Sequence, residues 1–292
     1  MHFLVLNTLN SHTATPQVNV QDRAFNYGDG CFTTMYAYNR CLFNYSKHIS
    51  RLVHDTSRLR LYLDVPLLVN KINDLLLTSV GLDNEAIVVK IHISRGLGGR
   101  GYELPVKAET MVSISFHKTT AFSANSIITA PIYRLKMCSF PLSSQTLLAG
   151  IKHLNRLEQI MAKIELADTH DAEDLILADQ NGNIIEAISA NVFLKVNELW
   201  LTPSLEQAGV SGVMRRLVLE HFAAQGIAYK VTNISAEHLM SASSVFLTNA
   251  VKFIIPVSSY QYHKHESVAY NNDVLSDIAN GIFTASQSDC KA

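Results

Sequence analysis

Two apolar runs on either side of Gln180-Asn181-Gly182-Asn183 constrain this chain more than any other stretch. Asp174-Leu175-Ile176-Leu177-Ala178-Asp179 precedes those turn residues and Ile184-Ile185-Glu186-Ala187-Ile188 follows them, each of strand length. Asn181-Gly182 is a pair that a tight hairpin favours, because both central residues of such a turn take positive φ. The two runs are therefore expected to pair antiparallel. Glu186 interrupts the second run. A carboxylate among isoleucines is costly to bury without a compensating partner, and a protonated ring nitrogen would be one. On the wet face of a half-exposed strand the same residue needs none, and the hairpin alone does not choose between these readings.

Upstream, Gly150-Ile151-Lys152-His153-Leu154-Asn155-Arg156-Leu157-Glu158 leads into a helical pattern. Leu154, Leu157, Met161 and Ile164 recur at the spacing of one buried stripe, so Lys152 is expected just before the helix. Enclosure disfavours an ammonium and leaves an amine able to form an imine with a carbonyl, the usual chemistry of a Schiff-base lysine. A surface lysine beside a helix fits the segment equally well.

Two stretches could hold an anion. Gln207-Ala208-Gly209-Val210-Ser211-Gly212-Val213-Met214 places glycines around Val210-Ser211 before a helix marked by Val213, Leu217, Val218 and Phe222, where backbone N–H groups and the helix dipole favour a phosphate. Thr248-Asn249-Ala250 closes the apolar strand Ser244-Val245-Phe246-Leu247. The glycine-rich loop Arg95 to Tyr102 lacks the lysine of a P-loop and the strand-to-helix glycine spacing of a dinucleotide site. Its Arg95 and Arg100 suit carboxylates, which a planar guanidinium pairs bidentately.

The order of elements suggests two domains. Helices are expected over 48–63 and 67–80, and strands over 86–93 and 110–116, giving an α/β domain at 1–118. The polar stretch 119–126 reads as a linker, and 127–292 as a second α/β domain carrying Lys152. At 292 residues the chain is long enough for both cores. A net charge of −1 without basic blocks argues against nucleic-acid or anionic-membrane partners. No stretch reads as a membrane span or as a cleavable leader, which favours the cytoplasm. Cys31, Cys41, Cys138 and Cys290 show no C-x-x-C spacing and are read as free thiols, and the histidines show no ligand spacing, so no metal site is expected.

Lys152, Glu186 and the two cradles follow the order found in fold type IV pyridoxal-phosphate enzymes, the group of branched-chain and D-amino-acid aminotransferases and aminodeoxychorismate lyases. The chain resembles the lyases most, at Asp22-Arg23-Ala24-Phe25-Asn26-Tyr27-Gly28-Asp29-Gly30-Cys31-Phe32-Thr33-Thr34, at Ser94 to Tyr102, at Ala149 to Gln159 and at Gln207 to Met214. The resemblance implies a two-domain α/β (α+β) fold with pyridoxal 5'-phosphate at the domain junction, a homodimer, and conversion of 4-amino-4-deoxychorismate to 4-aminobenzoate and pyruvate in folate biosynthesis. It implies that Lys152 carries the cofactor, that Glu186 faces its pyridine nitrogen and that Arg51 holds its phosphate. Ala190, Asn191, Val210, Ser211, Thr248 and Asn249 would complete the cofactor site. Arg95, Arg100 and Tyr102 would meet the substrate, and Thr33 stands where transaminating relatives commonly carry glutamate. The alternative within the family is an aminotransferase for branched-chain or D-amino acids. The tail after about Ser258 lies outside the resemblance.

Overall fold

The computed structural model describes residues 1–7, 17–79, 82–120, 132–263 and 266–290. It divides into two compact units: Met1–Ala121 with Ile151–Asn155 and Ser286–Ala292, and Phe122–Gly150 with Arg156–Ala285. Of the expected linker, the part from residue 121 onward lies outside the described residues.

In the first unit, β1 (His2–Asn7), β2 (Gly30–Tyr38), β3 (Cys41–Leu42), β4 (Ala86–Ser94) and β5 (Met111–Lys118) form a sheet in the order β1-β5-β4-β2-β3. The β1–β5 pair is parallel and the others are antiparallel. Side chains alternate across the sheet as strand geometry requires. Cys31, Met35, Ile91, Ile93 and Ile114 turn to a core shared with Leu52 of α2 (Tyr45–Arg58) and with Leu68, Ile72 and Leu76 of α3 (Val65–Thr78). Asp64 caps α3 by accepting the Leu67 N–H at 2.9 Å. The short α1 (Arg23–Tyr27) precedes β2, with Asp22 as its cap.

Helix α2 begins three residues before the expected start and ends five before the expected end, and both shifts have physical causes. Its cap residue, Asn44, makes no side-chain capping bond. Asp289 supplies the missing acceptors: its carbonyl takes the Tyr45 N–H at 3.0 Å and its carboxylate takes the Ser46 N–H at 3.2 Å. At the other end Arg60 has φ of 54°, which a continuing helix does not allow. The C-terminal residues thus act as the helix cap. The structure also joins Cys41 to Cys290 in a disulfide, contrary to the expectation of free thiols for that pair. Cys31 and Cys138 are free and buried.

The second unit carries β6 (Tyr133–Met137), β7 (Asp174–Ala178), β8 (Ile184–Ala187), β9 (Asn191–Val196), β10 (Leu199–Pro203), β11 (Tyr229–Thr232), β12 (Ser244–Asn249) and β13 (Phe253–His263) in the order β11-β10-β9-β12-β13-β6-β7-β8, with β14 (Glu266–Ala269) paired to β13. Among the described residues its helices are α4 (Leu157–Ala167), α5 (Val213–Gln225), α6 (Ala236–Ser241) and α7 (Leu275–Ser288), the last running into the first unit. The described part of the tail is therefore largely strand and helix. Phe193, Phe246, Phe222 and Trp200 pack as a buried aromatic cluster that seats α5 on β9 and β12, with the Phe193 and Phe246 rings stacked 5.0 Å apart.

The β7–β8 pair is antiparallel as expected. The turn is different in detail: only Gly182 has positive φ, and the Asp179 carboxylate accepts the N–H groups of Asn181 and Asn183 at 2.8 and 2.9 Å. An Asx-type turn has replaced the two-residue hairpin. Helix α4 departs further. Leu157, Met161 and Ile164, expected to be buried, are 72%, 47% and 53% exposed, and Ile160 is 55% exposed, while Ala162 and Leu166 face inward.

Candidate active site

Lys152 lies in a five-residue return of the chain to the first unit. This segment extends the start of β2: Phe32 N–H donates to the Lys152 carbonyl at 2.9 Å, and Leu154 N–H to the Gly30 carbonyl at 3.0 Å. Ile151 is fully buried beside them. The Lys152 Nζ sits 4.6 Å from the centre of the Phe32 ring, and the Lys90 Nζ of β4 sits 5.0 Å from the same ring. Burial lowers the pKa of Lys90, and burial followed by the Lys90 charge brings His92 down to about 4. Two half-buried amines therefore approach one aromatic ring. Nothing in the sequence marks Lys90, because its register opposite Thr34 is set by strand pairing.

Helix α2 brings further groups to this segment. Arg51 and His48 lie one turn apart on it, and the fully buried His48 Nδ1 is 2.6 Å from the Thr33 hydroxyl. Burial, then the charges of Arg51 and Lys152, push the His48 pKa well below its ordinary value, so the ring is neutral. Thr33 is fully buried and held by that ring. Asp55, one turn after Arg51, accepts the Lys152 N–H at 3.0 Å. Its position four residues from Arg51 is the only mark it leaves in the sequence.

The arginines of the glycine-rich loop divide. Arg95 donates to both oxygens of Asp29 at 2.8 and 3.1 Å, and to the carbonyls of Leu59 and Arg60 at 2.9 and 3.1 Å. Beneath the loop Arg23, 4% exposed, joins the same carboxylate and reaches the carbonyls of Gly98, Gly101 and Glu103. Burial alone would raise the Asp29 pKa, but its hydrogen bonds to Arg95 and Arg23 bring it below the usual carboxylate value. Gly99 permits this closeness, since a Cβ there would lie 2.0 Å from the Glu103 carbonyl and 3.0 Å from the Arg23 guanidinium. Arg100 and Tyr102 remain on the outside, Tyr102 at 87% exposure.

In the second unit Glu186 is 4% exposed, which settles the burial question the sequence left open. One carboxylate oxygen accepts the Val210 N–H at 2.8 Å. Ser211 N–H donates to the Gly150 carbonyl at 3.0 Å, and Asn191 reaches the Val210 carbonyl at 2.9 Å. The N–H groups of Val210 and Ser211 are thus engaged within the protein. Unengaged donors come just after: α5 starts at Val213 with Gly212 as its cap and no side-chain capping bond. Its first-turn N–H groups, led by Val213 and Met214, lack intrahelical acceptors, which is the chemistry a phosphate requires. Gly212 is required there, because a Cβ would fall 2.0 Å from the Asn191 side-chain oxygen. Ala190 closes the neighbouring turn by accepting the Ala187 N–H at 2.8 Å. At the end of β12 the Thr248 hydroxyl donates to the Phe253 carbonyl at 2.6 Å, and Asn249 accepts from Val251 and Lys252 at 3.0 and 2.8 Å.

Taken unit by unit, the groups fit the cofactor that the resemblance implies: the half-buried lysine of the first unit suits an aldehyde, and the buried carboxylate and the helix start of the second suit a ring nitrogen and a phosphate.

The Amino-transferase class IV family matches residues 30–260 of the chain. The protein belongs to that family. Among its named relatives, the aminodeoxychorismate lyase of Vibrio harveyi is 36% identical over 83% of this chain and 88% of its own length. A putative branched-chain-amino-acid aminotransferase of Methanocaldococcus jannaschii is 27% identical, covering 82% of each. The crystal structure of 4-amino-4-deoxychorismate lyase from Pseudomonas aeruginosa superposes with a TM-score of 0.78 at 29% identity, covering 91% of this chain and 94% of that one.

Proposed function

We propose that the protein is a pyridoxal-phosphate-dependent lyase that converts 4-amino-4-deoxychorismate to 4-aminobenzoate and pyruvate. The observation that carries this reading is a half-buried Lys152 held along β2 in one unit and a buried Glu186 held by the Val210 N–H in the other, in a chain 36% identical to a named lyase. Lys152 would hold the cofactor, Glu186 would meet its ring nitrogen, and Arg51 with the Val213 and Met214 N–H groups would take its phosphate. When bound, pyridoxal phosphate supplies an electron sink for a carbanion beside the substrate amine.

Lys152 removes the proton at C4 of the substrate ring, a step for which a positioned base contributes about 10² to 10⁴ in rate. The C3–O bond then breaks, the ring becomes aromatic, and the departing enolpyruvate gains a proton to become pyruvate. Glu186, buried beside the Val210 N–H, would keep the ring nitrogen protonated and so favour the carbanion. Lys90 beside Lys152 and the outward Arg100 receive the two substrate carboxylates, with Tyr102 alongside. Arg95 is committed to Asp29 and shapes the loop. Thr33, buried and held by His48, packs and orients. The apolar stripe of α4 is suited to a second copy of the chain, making the enzyme a homodimer.

Lys152→Ala tests the assignment. Purified wild-type protein incubated with pyridoxal phosphate should show a visible absorption band, and the variant should show neither the band nor product. Turnover of the variant near the wild-type rate would refute the role of Lys152.

A further inference from the structure

Asp55 is a buried carboxylate for which the reaction above has no use. It is 2% exposed, and its two oxygens have separate partners. One accepts the Lys152 N–H at 3.0 Å and the other meets His54 Nδ1 at 2.9 Å. His54 reaches outward, its side chain 56% exposed, while the Asp55 side chain is 3% exposed. On the far side of the Lys152 Cα, the Lys152 carbonyl accepts the Phe32 N–H at 2.9 Å.

The peptide groups on both sides of Lys152 are thereby tied down, one to α2 and the other to β2. With both ends held, φ and ψ at Lys152 are fixed and the direction of its Cα–Cβ bond follows. A charged acceptor makes the hold on the N–H roughly twice as strong as a neutral one would. The charges beneath β2 fit this arrangement. Burial pushes the Cys31 thiol up to about 12, Asp55 adds to that and Arg51 opposes it, so carboxylate and guanidinium both lie close to the strand that Lys152 extends.

We propose that Asp55 is a positioning residue for the lyase reaction, holding the Lys152 backbone so that the amine is aimed at the reacting carbon without itself touching the substrate. The inference rests on the reading of Lys152 as cofactor lysine and base.

Two variants of the holoenzyme, Asp55→Ala and Asp55→Asn, test it. Misplacing a reacting group by about 1 Å costs up to ~10² in rate. Asp55→Ala should therefore lower kcat by about tenfold or more, with KM within about twofold, because no substrate contact is removed. Asp55→Asn keeps an oxygen to accept the Lys152 N–H and should recover kcat to within about threefold of wild type. A readout free of turnover is the rate at which the visible band forms when pyridoxal phosphate is added to cofactor-free protein, which should fall for Asp55→Ala in parallel with kcat. A merely structural role predicts a lower Tm for Asp55→Ala with wild-type kcat and band formation, and that result would overturn the proposal. Asp55→Asn no better than Asp55→Ala would overturn it too. In both cases the wild-type band would leave the reading of Lys152 standing. No band in the wild type would remove that reading and this inference together.

Discussion

Arg95 and Arg100 stand five residues apart in one loop, and the structure gives them different work. Arg95 lies between Asp29 and two backbone carbonyls, whereas Arg100 faces outward. Arg100→Ala should raise KM for the substrate by about tenfold or more, the usual cost of losing a charge-assisted hydrogen bond of about 1.5–3 kcal/mol, and leave Tm unchanged. Arg95→Ala should lower Tm. The pH dependence follows from Asp29, whose folded pKa is lowered. Its contribution to stability is present above the ordinary aspartate value of about 3.9 and is lost as pH falls through the folded value. Arg95→Ala should flatten that acid limb in thermal melts recorded as a function of pH. Equal effects of the two variants on KM would reassign Arg95 to the substrate. Both arginines were legible as carboxylate partners from the sequence. What it could not show is that Arg95's carboxylate belongs to the protein, because Asp29 meets it only once Arg23 has drawn the loop down.

At the scale of elements, periodicity located helices well and read their faces unevenly. The Val213, Leu217, Val218 and Phe222 stripe of α5 is buried as its spacing indicates, since the aromatic cluster below it supplies a partner. The similar stripe on α4 faces outward at Leu157, Ile160, Met161 and Ile164. A 3.6-residue period shows that a helix has an apolar side but not which surface covers it, and a second copy of the chain leaves the same signature as a core. Ile160→Glu together with Met161→Lys should shift sedimentation from dimer toward monomer without changing the far-UV spectrum of the helices. A wild type that sediments as a monomer at micromolar concentration would exclude this interface. The cap of α2 was not legible, because its acceptor, Asp289, lies more than two hundred residues away in sequence.

For the whole molecule, the residues proposed for the site stood out in the sequence where their chemistry is local: Lys152 before a helix, Glu186 breaking a strand and glycines before α5. The contributions of Asp55, His48 and Lys90 were not, because each depends on which strand or helix lies opposite. The same machinery serves lyases and aminotransferases, so the fold does not decide the reaction. A lyase returns its cofactor to the starting oxidation level at each turnover, whereas half a transamination leaves the amine form and stops until a keto acid arrives. The direct test is pyruvate release from 4-amino-4-deoxychorismate over many turnovers with no keto acid present. The account predicts continuous release, with 4-aminobenzoate formed in equal amount. Release that halts at about one equivalent per site, or that requires added 2-oxoglutarate, would contradict it.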